Sequence, residues 1–468
     1  MNNTRLFGLV GGLLTFIVML ILPAPEGMEL TAWRVAAMTI LMAIWWMTEA
    51  MPLTVTALLP FLLVPAFGVM DAKAIANEYY SDILFLILGG AFLALTIERV
   101  GLHRRLALAL LKRASPTAPG LLFAFMAATA LLSMFISNTS TALIMIPIAL
   151  AVVRAGGIEE GEKAGFAGAV MMGIAFAASI GGLGTLVGSP TNAIAVALID
   201  KALGLRISFA QWAMYGVPIV LLATPAAMLI LARVQRLSAH PFDGAAAAAA
   251  LGKQAVWSAA ERRVVPVFLL VLAGWIALPW LEPHLPKGAL TDGTVAIAGS
   301  LLLFVLPDGS GRPLLVWKEA DRAPWGVIMM FGGGLALAAS ITASGLAAWL
   351  GTALAPLGSM PTILLAAIIV ALTILITEFA SNVATASGIM PVLAALIAAT
   401  GTDPILLALP VAMAASWGFM LPSGTGPNAL AWSTGHIALP RMLKAGLALD
   451  IIGAPLLIGV IWTIATLT

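Results

Sequence analysis

Ser133-Met134-Phe135-Ile136-Ser137-Asn138-Thr139-Ser140-Thr141 and Thr377-Glu378-Phe379-Ala380-Ser381-Asn382-Val383-Ala384-Thr385 decide how this chain folds. Each is a polar break inside an apolar run, 119–154 and 359–400, that is longer than one bilayer crossing. A crossing takes roughly 20 apolar residues. Irregular backbone exposed to hydrocarbon leaves peptide groups unpaired at several kcal/mol each, so such a break survives only where it lines a cavity or binds something. The two stretches are also copies. At an offset of 244 (Ser137 to Ser381), Gly89-Gly90 falls on Gly333-Gly334 and Leu93 on Leu337. Gly101-Leu102 falls on Gly345-Leu346, Thr141-Ala142 on Thr385-Ala386 and Pro147 on Pro391. The match runs without a gap over about sixty positions. Gly, Ala and Leu matches are cheap in so biased a composition; a Ser-Asn pair with a Thr and a Pro at fixed distances is not.

Outward from these breaks, nearly everything is apolar. The 468 residues are 61% hydrophobic and 9% charged, with a mean hydropathy of +1.07. Water-facing surface normally carries about a quarter charged residues, so the natural solvent of this chain is lipid. Apolar spans fall at 6–23, 31–52, 53–69, 83–100, 164–199, 211–234, 263–281, 289–306, 324–344, 403–434 and 440–466. The expected fold is an all-α polytopic membrane protein with about 11 crossings besides the two interrupted runs. The first run lacks a small-residue cleavage site before Pro23-Ala24-Pro25-Glu26 and reads as a span, not a leader. Cysteine is absent, which removes disulfides, thiolate metal sites and thiol catalysis together. The four histidines, His103, His240, His284 and His436, have no ligand spacing and read as interfacial polar residues. An aromatic belt accounts for most of Trp45, Trp46, Trp325 and Trp417. The net charge of +2 says little about partners, and no nucleic-acid partner is expected.

Charge position is more informative than charge sum. With Arg5 cytoplasmic and each interrupted run entering and leaving on one side, the inside holds Arg99, Arg104, Arg105, Lys112, Arg113, Arg154, Lys163, Arg233, Arg236, Lys253, Arg262, Arg263, Arg312, Lys318, Arg322, Arg441 and Lys444. The outside receives Arg34, Lys73, Lys201, Arg206 and Lys287. That imbalance follows the positive-inside rule and sets the N-terminus in the cytoplasm of a bacterial inner membrane. An odd number of crossings separates the two Gly-Gly segments, so the copies are expected upside down relative to each other, an inverted-topology repeat. The segment 236–262, with Pro241, Asp243-Gly244 and the Ala245–Ala250 tract, reads as a cytoplasmic linker between the halves.

A second pair of breaks follows the first: Gly188-Ser189-Pro190-Thr191-Asn192-Ala193 resembles Gly424-Thr425-Gly426-Pro427-Asn428-Ala429. Hydroxyls, Asn carbonyls and freed backbone carbonyls are hard oxygen ligands for a small cation. Asn amides, hydroxyl protons and the N–H groups of a restarting helix suit carboxylate oxygens. Almost no cationic side chain lies at membrane depth. Anion affinity then depends on a co-bound cation, which is the thermodynamic content of symport.

These residues resemble the divalent anion/sodium symporters, over nearly the whole chain. The likeness is carried by Ser137-Asn138-Thr139, by Thr377-Glu378-Phe379-Ala380-Ser381-Asn382, and by Trp45-Trp46-Met47-Thr48-Glu49-Ala50-Met51-Pro52. It implies a homodimer in which a transport domain moves like an elevator against a static scaffold, with two re-entrant hairpins bearing the Ser-Asn tips. The scaffold would comprise 1–118 and 263–358, and the transport domain 119–235 and 359–468. One sodium site would use Ser133, Ser137, Asn138 and the Gly188 carbonyl; the other, Thr377, Ala380, Asn382 and the Gly424 carbonyl. Substrate carboxylates would meet Ser137, Asn138, Thr139, Ser381 and Asn382, with Ser189-Pro190 and Thr425-Gly426 at the edges. Val383 stands where the family usually has a second Thr, which removes a hydroxyl from the substrate side. Glu378 is expected to be a hydrogen-bonded structural acid, and Glu49 a structural or interfacial one.

The expected activity is sodium-coupled import of C4-dicarboxylates such as succinate, fumarate or malate. A sodium-independent exchanger, or a symporter for citrate or sulfate, is the alternative. An embedded enzyme would need paired acids or metal-ligand spacing, which the sequence does not offer; a channel would need a continuous polar stripe.

Overall fold

The computed structural model describes residues 3–159, 161–252 and 256–467; Lys253 of the inside count lies outside them. Apart from one isolated bridge between Pro307 and Pro313, the described residues form helices and their connections. Among the described residues, eleven helices are long and apolar enough to cross a membrane. Three of these, Asn138–Ala155, Thr362–Phe379 and Asn382–Thr400, are arms of the interrupted runs. The other eight fall on spans read from sequence. The fourth arm, Ala118–Ser133, has 16 residues.

Three expected spans are not continuous helices. The run 53–69 is divided into Leu53–Thr56 and Leu59–Ala66. The run 164–199 becomes Gly165–Gly182 and Pro190–Leu203, and 403–434 becomes Pro404–Ala414 and Gly426–Ser433. Mean apolarity does not reveal these interruptions, although the second pair of breaks read from the sequence, at Gly188–Asn192 and Gly424–Asn428, lies at two of them; the Gly and Pro residues there support a helix poorly. The breaks inside the two interrupted runs are shorter, 134–137 and 380–381, because a Ser restarts the helix at once. Ser137 accepts from Ser140 N at 3.2 Å and Ser381 from Ala384 N at 3.2 Å, each an N-cap satisfying an otherwise orphaned donor.

The two copies repeat in local structure. Gly101 and Gly345 both take the left-handed conformation, φ 80° and 82°, and open the short helices Leu102–Leu111 and Leu346–Leu354. The copies also interlock. Pro190–Leu203, after the first copy's second break, packs on Asn382–Thr400; Gly426–Ser433 packs on Asn138–Ala155.

Ion pairs fall into two groups matching the two sides of the sequence count. Arg99 pairs with Asp308 and, at 3.3 Å, with Glu319, which Arg312 also holds at 2.7 Å. Arg105 pairs with Glu261 at 2.6 Å, and Arg441 bonds the Gln235 amide oxygen at 2.9 Å. Across the fold, Lys201 pairs with Glu78 and Arg206 with Asp200. Hydrogen bonds from Ser310 and the Arg99 guanidinium hold the Asp308 carboxyl well below the usual carboxylate range. The linker is fastened down: Phe242 packs on Phe166 with centroids 4.2 Å apart, Asp243 N donates to Gly156 O at 3.1 Å, and the alanine tract forms the helix Gly244–Ala249.

The tryptophans correct the belt reading. Trp45, Trp46 and Trp417 are buried. Trp46 donates to Leu53 O at 3.1 Å, and Trp417 to Leu449 O at 3.2 Å. Trp325, 40% exposed, alone of the four stands at a surface. A buried indole usually finds an acceptor for its N–H; backbone carbonyls supply one to Trp46 and Trp417, whereas Trp45 Nε1 has none among the described residues.

Candidate functional site

The first oxygen cluster forms where helix Ala118–Ser133 ends and Asn138–Ala155 begins. Ser133 Oγ lies 2.8 Å from Asn138 Oδ1 and 2.7 Å from the carbonyl of Ala178. Asn138 Oδ1 also faces that carbonyl at 3.1 Å and the Gly188 carbonyl at 3.3 Å. Four oxygens thus converge with a single hydroxyl proton among them. Turning the carboxamide would bring Nδ2, with two protons to donate, within reach of all three neighbours. With Oδ1 inward, the same four atoms are a hard-oxygen set of the kind that suits a small cation. The residues fit a sodium ion by their chemistry: neutral oxygens only, with no group of three or more His, Asp or Glu near enough to hold a metal among the described residues.

The second copy repeats this geometry. Thr377 Oγ1 lies 2.9 Å from Asn382 Oδ1 and 2.6 Å from the Ala415 carbonyl, again one proton facing two acceptors. Ser133 and Thr377 are fully buried. Ala380 is buried and its N–H closes the preceding helix on Ile376 O at 3.0 Å. Gly424 sits against Glu378, whose backbone oxygen lies 3.5 Å from where a Cβ on that glycine would be.

The unwound segments are fixed by buried side chains. Asn192 Nδ2 donates to Gly182 O at 2.7 Å and Thr185 O at 2.8 Å, and Thr185 Oγ1 donates to Met134 O. In the second copy Asn428 Nδ2 donates to Leu421 O at 3.0 Å. There Glu378, fully buried, accepts three backbone N–H bonds: from Phe419 and Met420 on Oε1, at 2.5 and 2.9 Å, and from Leu421 on Oε2, at 3.0 Å. This is the structural role expected of that acid. Asp450, 7% exposed, lies against Glu378, and neither of its carboxylate oxygens has a hydrogen-bond donor among the described residues.

The tips meet crosswise. A Cβ on Gly426 would lie 2.4 Å from Thr139 Oγ1, so the first Ser-Asn-Thr tip abuts the second copy's Gly-Thr-Gly-Pro segment. Ser137, Ser140, Ser189 and Pro190 line a cavity of about 180 Å³. Its facing wall carries Glu98 and Arg322. The N-termini of Asn138–Ala155 and Pro190–Leu203 therefore border one space, where helix dipoles favour an anion. Of the residues expected to meet substrate, Asn138, Thr139, Ser381, Asn382, Val383, Thr425 and Gly426 are not in that lining. Thr425 caps its helix by accepting from Asn428 N at 3.2 Å. Val383 is half-buried and packs against the apolar core.

Sequence reasoning missed the carbonyls of Ala178 and Ala415, since a backbone oxygen leaves no mark in a side-chain pattern. It also missed Gly182, where a Cβ would stand 2.4 Å from Asn138 Oδ1.

An all-helical, multi-span chain whose polar groups gather at helix breaks in its interior has the build of a solute transporter. Comparison with known proteins makes the class specific. The family described as "Sodium:sulfate symporter transmembrane region" matches residues 3–467. The chain is 36% identical, over 98% of its length and 91% of the relative's, to the sodium-dependent dicarboxylate transporter SdcS of Staphylococcus saprophyticus. It is 37% identical, with the same coverage, to SdcS of Staphylococcus aureus strain USA300. The YdaH transporter of Alcanivorax borkumensis shares the fold, with a TM-score of 0.58 at 15% identity, covering 98% of this chain and 96% of that one. The chain belongs to the divalent anion/sodium symporter family, in its dicarboxylate transporter branch. It is a multi-pass membrane transporter and not an enzyme.

Proposed function

We propose that this protein is a sodium-coupled symporter that imports C4-dicarboxylates such as succinate, fumarate or malate across the bacterial inner membrane. The observation that carries the reading is the pair of repeat-related clusters, Ser133–Asn138–Ala178 and Thr377–Asn382–Ala415, in each of which a buried hydroxyl, an Asn carboxamide and a backbone carbonyl converge at a helix break. The relatives named as sodium-dependent dicarboxylate transporters support it.

In this reading each cluster takes one sodium ion, with Ser137 and the Gly188 carbonyl completing the first and Ala380 and the Gly424 carbonyl the second. Ion binding draws Asn138 Oδ1 and Asn382 Oδ1 toward the cation, which turns each Nδ2 outward as a donor for substrate. The dianion is held by Ser137, Asn138, Thr139, Ser381 and Asn382, between the edges formed by Ser189-Pro190 and Thr425-Gly426. Anion affinity is therefore low until the cations are in place, and neither moves alone. Residues 119–235 and 359–468, with the re-entrant hairpins 119–154 and 359–400, move as an elevator against the scaffold 1–118 and 263–358 of a homodimer. The N-terminus is cytoplasmic. The segregation of ion pairs into two groups supports that two-sided arrangement.

The test is uptake of labelled succinate with sodium replaced by choline, together with thermal stabilisation by a panel of anions, each with and without sodium. Uptake that persists in choline points instead to a sodium-independent exchanger. Val383, which offers no hydroxyl, favours keeping citrate and sulfate in the panel.

A further inference from the structure

The cavity of about 180 Å³ in front of the first tip is built from two walls that belong, in the reading above, to different moving bodies. Ser137, Ser140, Ser189 and Pro190 form the transport-domain wall. Glu98, near the end of Asp82–Val100, and Arg322, just before Trp325–Ala343, are the charged members of the scaffold wall. The volume is below the roughly 300–1,000 Å³ of sites for drug-sized ligands, a size suited to a small acid.

Arg322 stands out from its neighbours. Arg99, Arg312, Asp308 and Glu319 tie one another into a network a few residues away. The Arg322 guanidinium is exposed and makes no ion pair or hydrogen bond among the described residues, and Glu98 likewise carries no ion pair. A guanidinium free of partners beside two helix N-termini is a natural collector of carboxylates. A carboxylate facing the same space repels them.

We propose that Arg322 is an anion-collecting station at the cytoplasmic mouth of the binding cavity, and that Glu98 is the opposing charge that lets the anion leave. The inference rests on the transport reading given above. Both charges sit on the scaffold, so they act on substrate only when the first tip faces them, and they set affinity on one side of the membrane alone. Neither lies at the tip itself, so neither is needed for the ion clusters to form. Keeping the permanent cation at the mouth and not at the tip leaves the sodium requirement intact.

The experiment compares substrate entry from each side, in right-side-out and inverted membrane vesicles normalised to transporter content, for the wild type, Arg322→Gln, Arg322→Lys and Glu98→Gln. One unit charge acting on a dianion across a wet cavity gives roughly a three- to tenfold effect. The cytoplasmic KM should rise by that factor in Arg322→Gln, stay near wild type in Arg322→Lys, and fall in Glu98→Gln, which should also slow turnover in the uptake direction. The outer KM should not move, and the effects should shrink as choline chloride is added. An unchanged cytoplasmic KM in Arg322→Gln, equal shifts on both sides, or shifts of the same sign in Arg322→Gln and Glu98→Gln would overturn the proposal. The wild-type arm tests the transport reading separately: if it carries another anion in place of succinate, the same comparison is made with that anion.

Discussion

Glu378→Gln is the sharpest test of how the second ion cluster is held. The carboxylate accepts Phe419 N and Met420 N on one oxygen and Leu421 N on the other. A glutamine keeps the shape but offers only one oxygen. Its amide can serve at most two of the three N–H groups and turns a donor toward the third. A buried N–H left unpaired costs about 1–3 kcal/mol, and each surviving bond weakens by about 1 kcal/mol when its acceptor is no longer a carboxylate. The sum is about 3–5 kcal/mol, and it falls on the segment that follows Ala415, whose carbonyl borders the cluster. A loss of even about 3 kcal/mol from that arrangement is more than a hundredfold in an equilibrium constant. The half-saturating sodium concentration for uptake should therefore rise at least tenfold. For a chain of this length the thermal midpoint in detergent should drop by roughly 3–5 °C. Glu378→Gln protein with wild-type sodium dependence and a midpoint within about 1 °C of wild type would refute the reasoning, because the three bonds would then carry no net weight.

Asn138→Ala and Asn382→Ala should each abolish sodium-dependent uptake while the protein still reaches the membrane, as judged by membrane content and uptake in parallel. Gly182→Ala places a Cβ 2.4 Å from Asn138 Oδ1, so it should impair sodium binding at the first cluster, read as lost thermal stabilisation by sodium, more than it lowers expression. Val383→Thr restores a hydroxyl beside the second tip and should change substrate preference in a competition panel; an unchanged profile would place that side chain out of contact. The Asp308 carboxyl is depressed in the fold, so its contribution is present above the unfolded value of roughly 4 and is lost only as pH falls through the folded one. The difference in thermal midpoint between wild type and Asp308→Asn should accordingly hold constant from about pH 8 to 5 and close only below roughly pH 4.

Much of this protein was legible in its sequence because lipid leaves few choices. With 9% charged residues, helices were the available spanning element, and a polar break in an apolar run had to be functional or shielded. The Ser137-Asn138 and Ser381-Asn382 breaks were therefore visible as candidate sites, and the offset of 244 ties them together. The charge distribution sorted residues such as Arg99 and Arg312 from Lys201 and Arg206, and the fold keeps those groups apart. Tertiary structure decided what hydropathy cannot see. Gly182 to Ser189 and Ala415 to Thr425 lie inside apolar runs and unwind over their length, because buried Asn192, Asn428 and Glu378 supply hydrogen bonds that compete with the helical ones. The carbonyls of Ala178 and Ala415 became part of the oxygen clusters, and Trp46 and Trp417 went inward to carbonyl partners and not to an interfacial belt. Side-chain chemistry is written residue by residue, whereas a backbone oxygen is the same at every position. Which carbonyls face a site depends on how distant helices pack, and only the folded chain fixes that.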